Sequence, residues 1–524
     1  MAGKNILLIE PGYKNKYPPL GLMKIAQYHG RHGKNDNVRF IKGEDNSVFD
    51  TVWDRIYVTT LFSFEWKKIA DSIEFAIQAS HNQPNKIFVG GIAASLMPEA
   101  FIAESQWRGI RFIKGLLKDA PAVSLQLDRY SEELYSDDLG GIPIEDQIPD
   151  YDILKQVSYQ YAVYDAYFTY ASRGCVRKCS FCGVPKLEGG QRDTESIAHV
   201  VEGIEKLYGP KKDLILMDNN VVASHRFREI IAQIRDLGFT SGAKLNRGRI
   251  PVLRRVDFNQ GVDARILCKD PMYLRELSTI CIKPLRIAFD HIGVRKPYET
   301  AIRYAADAGL RDLSNYMLYN FKDTPADLYQ RMRLNIDLNV DLGISIFSFP
   351  MRYQPVTYKD RSHVGDHWKR YYLRSMQIIL QATHGIVSGA PKFFKRAFGE
   401  NELEFETLLL RPHHFIFNRV WYEDLDGRAE YDEYLSEMNK LSDDEKNELV
   451  AVLSASDKSD YARVKKTLSN TKLRSVMEYY LPISRSSERR IWEKQKARRK
   501  AIEKELIIVP DDERVEDAGL EIAA

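Results

Sequence analysis

Between residues 166 and 352, short apolar runs alternate with amphipathic helical stretches, and this alternation limits the fold more than any other feature. The runs are AYFTYAS, DLILMD, VDFNQGV, LRIAFD, NYMLYN and ISIFSFP. Each but the last is followed by a helical pattern. In the first such pattern Ile197, Val200, Val201, Ile204 and Leu207 share a face before the stop at Gly209-Pro210. Later, Thr324 before Pro325 reads as an N-cap with proline at the first helical position. Six strands in βα units predict a parallel sheet, and six fall short of the eight in a closed (β/α)8 barrel. The expectation for residues 166–360 is therefore a partial, open (β/α)6 barrel.

The flanks read differently. In residues 1–120, NILLIE, VRFIKG, RIYVTT and KIFVGG read as strands, and PLGLMKIAQYHGRHG as a helix ending at Gly33, which gives a doubly wound parallel sheet. Pro11-Gly12 and Gly90-Gly91 fall at strand ends, where open α/β sheets bind ligands. Residues 121–165 are rich in acids, Gly and Pro without a clear period, and read as a linker or strap. In residues 361–524 the strand signal fades into a mostly helical region. It includes a helix placing Trp368, Tyr372, Met376, Ile379 and Leu380 on one side, and a capping box at Ser442 and Glu445. The chain closes on an acidic tail with Asp511, Asp512, Glu513, Glu516 and Asp517.

At 524 residues with 44% hydrophobic content, the chain can supply several cores. The net charge of +3, from 76 basic and 73 acidic residues, lacks the strong positive field of a dedicated nucleic-acid binder. Two basic stretches, Lys244–Arg255 and Arg485–Lys500, read as solvated surface or as a contact for RNA, DNA or an acidic protein. No run of about 18 uncharged apolar residues suggests a membrane span. The expectation is a cytoplasmic protein without a membrane partner.

Three of the five cysteines fall within SRGCVRKCSFCGVP, as Cys175, Cys179 and Cys182, directly after the first strand of the array. Three thiolates at C-x3-C-x2-C can serve one metal centre. A zinc site would want a fourth ligand from a matching pair, and no second C-x2-C or H-x3-H exists. A 4Fe-4S cluster held by three cysteines leaves one iron free. A zinc knuckle completed by Cys268 or a histidine, and three coincidental thiols, are the bland alternatives. Cys268 and Cys281 have no partner spacing and read as small core residues.

This spacing, with Phe181 before the third cysteine, resembles the radical SAM superfamily. The resemblance implies a 4Fe-4S cluster on Cys175, Cys179 and Cys182 whose free iron binds S-adenosylmethionine (SAM). Reductive cleavage then yields methionine and a 5'-deoxyadenosyl radical that takes hydrogen from a substrate. It also implies SAM-binding roles, with Phe181 at the adenine and Asp218, Asn219 and Asn220 at the second strand end. Gln260, Asp263 and Arg265 follow at the third, Asp290 toward the ribose at the fourth and Asn320 at the fifth. The plainer reading of each is a helix cap or strand-end turn. His291 and Arg352 are candidate substrate residues.

The order of LLIEPGYKNKYPPLGLMKIAQYHGRHG, FVGGIAASLMPE and IPDYDIL is similar to radical SAM proteins with a cobalamin-binding-type N-terminal domain. Cobalamin is thus a candidate cofactor, and cobalamin-dependent methyl transfer a candidate reaction. The Asp-x-His-x-x-Gly ligand motif of some cobalamin proteins is missing, the nearby histidines being His29, His32 and His81. The resemblance further implies a reducing partner such as a flavodoxin or ferredoxin. The substrate is left open among small molecule, peptide and nucleic acid. The reading from another class is a non-catalytic iron-sulfur protein for electron transfer or sensing, with a basic C-terminal region binding a partner.

Overall fold

The computed structural model describes residues 3–117, 144–194, 196–382 and 385–506. The chain begins with β1 (Asn5–Glu10) and α1 (Leu20–His29). The helix stops before the expected Gly33, because Gly30 is extended and the chain folds back, giving Lys34 and Gly33 amides to the carbonyls of Tyr28 and Gly30. Next come β2 (Asn37–Lys42), β3 (Arg55–Thr60), α2 (Trp66–Ala79), β4 (Ile87–Gly91) and the two-residue β5 (Arg111–Phe112). All pairs are parallel, in the order β2-β1-β3-β4-β5.

Side chains alternate across β1 and so build two cores. Leu7 and Ile9 pack with Ile69 and Ile73 of α2, while Ile6 and Leu8 pack with Leu22 and Met23 of α1. The second core is continuous with that of the following barrel, so the N-terminal sheet is fused to it through one face. Residues 144–165 reinforce the junction: the Asp150 amide donates to the Met23 carbonyl, and the Tyr151 hydroxyl donates to the Ala166 carbonyl. The rest of the acidic linker, residues 118–143, lies outside the described residues.

The barrel strands are β6 (Ala166–Thr169), β7 (Asp213–Leu216), β8 (Val256–Phe258), β9 (Val262–Asp263), β10 (Leu285–Ala288), β11 (Asp312–Tyr319) and β12 (Ser345–Arg352). The third expected strand, VDFNQGV, is split. Gly261 has φ +80°, a conformation that costs glycine least, and the turn there lets β8 pair with β7 while β9 pairs with β10. The result is an open parallel arc in sequence order whose strands all point their carboxyl ends to one side.

The helices between strands bury the expected faces. They are α3 (Ile197–Tyr208), α4 (Phe227–Asp236), α5 (Arg295–Asp307) and α6 (Pro325–Leu342), the last with a capping box between Thr324 and Asp327. One departure is that α6 carries Arg331, Asn335 and Asn339 on its buried side, four residues apart and hence on one stripe. Asn335 joins Tyr298 to Ser348, and Asn339 exchanges two hydrogen bonds with the backbone of Ile346.

The boundary expected at 360 shifts. Trp368 and, from α7 (Arg370–Ala382), Leu373, Met376 and Ile379 lie in the barrel's core, as do Phe394, Phe398 and Leu409. Trp368 precedes the helix rather than lying on it. A separate helical core begins near Leu410 and gathers Trp421, Tyr434, Leu449, Leu473 and Tyr480. The capping box at Ser442 and Glu445 forms, and the basic stretch 485–500 lies in a helix, Arg485–Leu506. The acidic tail, with Asp511, Asp512, Glu513, Glu516 and Asp517, lies outside the described residues. Among the described residues, no helix is long and apolar enough to cross a membrane.

Candidate functional site

The carboxyl ends of the barrel strands and those of the N-terminal sheet open into one cavity of about 3520 Å³. From the sheet come Glu10, Thr60, Gly90 and Gly91, and from the barrel Met217, Asn259, Asp290 and Met351. Gly91 is required where it stands: its φ is +103°, and a Cβ there would lie 2.4 Å from the Thr60 carbonyl oxygen.

The cysteine loop forms part of this cavity's wall. Arg173 leads into it, buried between Glu145 and Glu188 at 3.3 Å each, with its guanidinium 3.9 Å above the Tyr170 ring. Gly174 then turns the chain with φ +76°, where a Cβ would meet the Gly190 carbonyl oxygen at 2.2 Å. Cys175, Cys179 and Cys182 all face the cavity. The Arg177 and Val184 amides donate to the sulfurs of Cys175 and Cys182, each at 3.4 Å, an arrangement that favours thiolates. Burial pushes the Cys179 and Cys182 thiols up, with Arg265 opposing it at Cys179 and the Val184 amide at Cys182.

Among the described residues, no three His, Cys, Asp or Glu donors converge as they would around one ion. A 4Fe-4S cluster assigns each thiolate to its own iron, so three thiols spread along one loop and facing one cavity fit it. Cys268 and Cys281 do not line the cavity; Cys281, at the foot of the barrel, is pushed up to about 11 by burial.

The residues expected to bind SAM separate into two groups. Phe181, Asn219, Asn220, Gln260, Arg265 and Asp290 line the cavity. Phe181 meets Phe321 edge-on at 5.7 Å. Asn219 donates to Glu188 at 2.9 Å, while the amide nitrogen of Asn220 is buried without a hydrogen-bond partner. Arg265 donates to Asp263 at 2.8 Å, and Arg177 binds the other oxygen of that carboxylate. Burial opposes ionisation of Asp263, but these arginines outweigh it and hold the carboxyl below its ordinary value. Asp290 makes no side-chain hydrogen bond to a described residue; burial pushes it up to about 6 against the pull of Arg331 and Arg265. An unpaired carboxylate and an orphaned amide donor on one wall suit a ligand bearing hydroxyl and carboxylate groups.

Asp218 and Asn320 are corrected by the geometry. Both Asp218 oxygens turn back into the barrel, accepting from the Ala171 amide at 2.9 Å, the Ser172 amide at 2.5 Å and the Ser172 hydroxyl at 2.7 Å. It holds the exit of β6 in place and does not line the cavity. Asn320, at φ +68°, uses its side-chain amide on the carbonyls of Tyr353 and His363 and its oxygen on the Gly365 amide. Its role is the strand-end turn that asparagine favours.

Of the candidate substrate residues, His291 lines the cavity, exposed, with burial, Arg265 and Arg331 lowering its pKa. Arg352 also lines it but pairs with no acid among the described residues, donating instead to the carbonyls of Arg361 and His363. In the N-terminal unit, His29 is held by Asp36 and the Tyr57 hydroxyl, and among the described residues lining the cavity His291 is the one histidine.

Sequence reasoning missed Arg331. This fully buried guanidinium donates to the carbonyls of Phe289, Asp290 and Leu318 and pairs with Asp323 at 2.9 Å, tying the ends of the fourth and fifth strands together. The available signal was a cation on the apolar stripe of PADLYQRMRLNIDL. Also missed was the β1 loop's reach into the barrel: Tyr17 packs edge-on against Phe168 and donates to the Asn259 side chain at 2.7 Å.

The fold and mouth together define an α/β protein in which a doubly wound sheet and a partial (β/α)6 barrel share one cavity bearing a three-cysteine loop. No family model matches the chain. It is 25% identical over 220 residues to an uncharacterized methyltransferase of Synechocystis sp.. That match covers 41% of this chain and only 38% of the relative's length. Among solved structures it is similar to the radical SAM methyltransferase TsrM from Kitasatospora setae with cobalamin and a 4Fe-4S cluster bound. The TM-score is 0.43 at 14% identity, covering 68% of this chain and 74% of that one. It is also similar to the apo form of the cobalamin-dependent radical SAM enzyme OxsB, with TM-score 0.47 at 14% identity, covering 97% and 82%.

Proposed function

We propose that this chain is a radical SAM enzyme that transfers a methyl group, with cobalamin as a second cofactor. The observation that carries the reading is the single cavity onto which the cysteine loop, the unpaired Asp290 and the strand ends of both sheets open. A protein that only relays electrons has no use for a cavity of about 3520 Å³ beside its cluster.

Cys175, Cys179 and Cys182 would hold the 4Fe-4S cluster, and cobalamin would occupy the side formed by Thr60, Gly90 and Gly91. When bound, these groups supply the electron that cleaves SAM and a carrier for the methyl group. The chain's own part is placement. Asp290, ionised above about pH 6, accepts from the ribose hydroxyls, Asn220 donates to the SAM carboxylate, and Phe181 borders the adenine. Arg265 offsets negative charge beside Cys179. A flavodoxin- or ferredoxin-type protein would supply electrons in a cytoplasmic setting.

The test is anaerobic purification with cobalamin supplied, followed by iron and cobalt analysis, visible spectra and a SAM-cleavage assay. Iron, cobalt and 5'-deoxyadenosine or methylated product are expected. A colourless protein that leaves SAM intact overturns the reading, and iron without cobalt removes the cobalamin part alone.

A further inference from the structure

Below its mouth the barrel lumen carries a layer of side chains that the proposed chemistry leaves unused. Arg286 on β10 grips Asp257 on β8 with two hydrogen bonds of 2.8 Å, one to each carboxylate oxygen. Tyr316 donates to the Asn259 carbonyl at 2.9 Å, and Phe347 and Phe349 complete an aromatic wall. From the N-terminal sheet, the loop after β1 brings Tyr17 and, beside it, Lys16 into the same space.

The charges in this layer do not balance. Asp257 is fully engaged by Arg286, and Lys16 makes no side-chain hydrogen bond or ion pair to a described residue. Among the described residues the charged groups acting on Lys16 are those two, and burial together with Arg286 lowers its pKa. A half-buried ammonium beside a guanidinium is costly without a counter-charge. The layer therefore lacks one anion.

We propose that this layer binds the substrate, that Lys16 pairs with its carboxylate or phosphate, and that Tyr17, Tyr316, Phe347 and Phe349 pack its planar apolar body. The proposal rests on the function above and adds the substrate class. Asp290 follows Arg286 by four residues, two beyond the end of β10, at most about 13 Å of extended chain. The anionic end would thus sit on the order of 10 Å from the mouth, the length of a small molecule. Of the cations that a nucleic-acid substrate would use outside the lumen, Arg247 is paired with Asp165, and Arg254 lies 3.6 Å over Phe239 while donating to four backbone carbonyls.

The test uses the full chain, with benzoate, phenyl phosphate and benzamide titrated by calorimetry and saturation-transfer NMR. At least one anion should bind about ten-fold more tightly than benzamide, and the preferred one identifies carboxylate or phosphate. Lys16→Gln should lose about ten-fold in anion affinity and leave benzamide unchanged, while Lys16→Arg should retain anion binding and guards against misfolding of the first variant. Benzamide binding as tightly as the anions, an indifferent Lys16→Gln, or no binding of any probe at millimolar concentration overturns the proposal. Because these titrations need neither cluster nor SAM, their failure beside intact SAM cleavage removes the substrate class alone. Absent iron and absent cleavage remove the radical reading instead.

Discussion

The ends of the second and fourth barrel strands make an instructive pair. Each offers an aspartate, Asp218 or Asp290, each is pushed up to about 6 by burial, and the two are alike in local sequence context. Asp218 spends both oxygens on the backbone and hydroxyl of the β6 exit, whereas Asp290 keeps its carboxylate free toward the cavity. The difference lies in what stands opposite. The Ala171 and Ser172 amides point at Asp218 and donate to it, while among the described residues no amide donates to the Asp290 side chain, the Phe289 amide being spent on the Tyr316 carbonyl. A strand-end acid thus becomes structural where amide donors face it and available where none does.

The largest expected effect follows from the structural member. Asp218→Ala leaves two buried amides and a hydroxyl without acceptors and should cost about 3 kcal/mol, read as a lower urea midpoint for the barrel. An unchanged midpoint would break the distinction. Asp290→Ala should instead lower the midpoint by no more than about 1 kcal/mol and weaken SAM binding by about 10–100-fold, equivalent to 1.4–2.8 kcal/mol, in calorimetry on the reconstituted protein.

A smaller effect has a definite sign. Asp290 has a folded pKa of about 6 against an ordinary 3.8, so the folded protein holds its proton more firmly. The associated stability is complete below the unfolded value and is lost as pH rises through about 6. Asp290→Asn removes that loss and should raise the apo protein's stability at pH 7 by about 1–2 kcal/mol, with no gain at pH 4. SAM affinity should move the other way in the unsubstituted protein, falling as pH drops below about 6, and should be flat in Asp290→Asn. The smallest effect is expected of Asn219→Ala, whose single bond to Glu188 is worth about 1 kcal/mol; a collapse of SAM binding in that variant would place Asn219 with Asp290.

Much of the fold was legible because its signals are local. The apolar runs, the Gly209 stop and the capping boxes at Thr324 and Ser442 concern neighbours along the chain, and each appears where the pattern puts it. The split of VDFNQGV was less legible, since Gly261 marks a turn only once two different strands claim its flanks. The stripe of Arg331, Asn335 and Asn339 resists hydropathy reading because its partners are backbone groups and side chains of other elements. The boundary near 360 failed for a similar reason: α7 is amphipathic whichever core it joins.

By itself, then, the sequence determined the strand–helix alternation and the three-cysteine loop after β6, because periodicity and spacing are written along the chain. Only the tertiary structure decided which strand-end acids face the cavity and that the N-terminal sheet shares that cavity with the barrel. It alone also left Lys16 in the lumen without an anion. These depend on which groups from distant segments meet, and on which hydrogen bonds and charges those meetings leave unsatisfied.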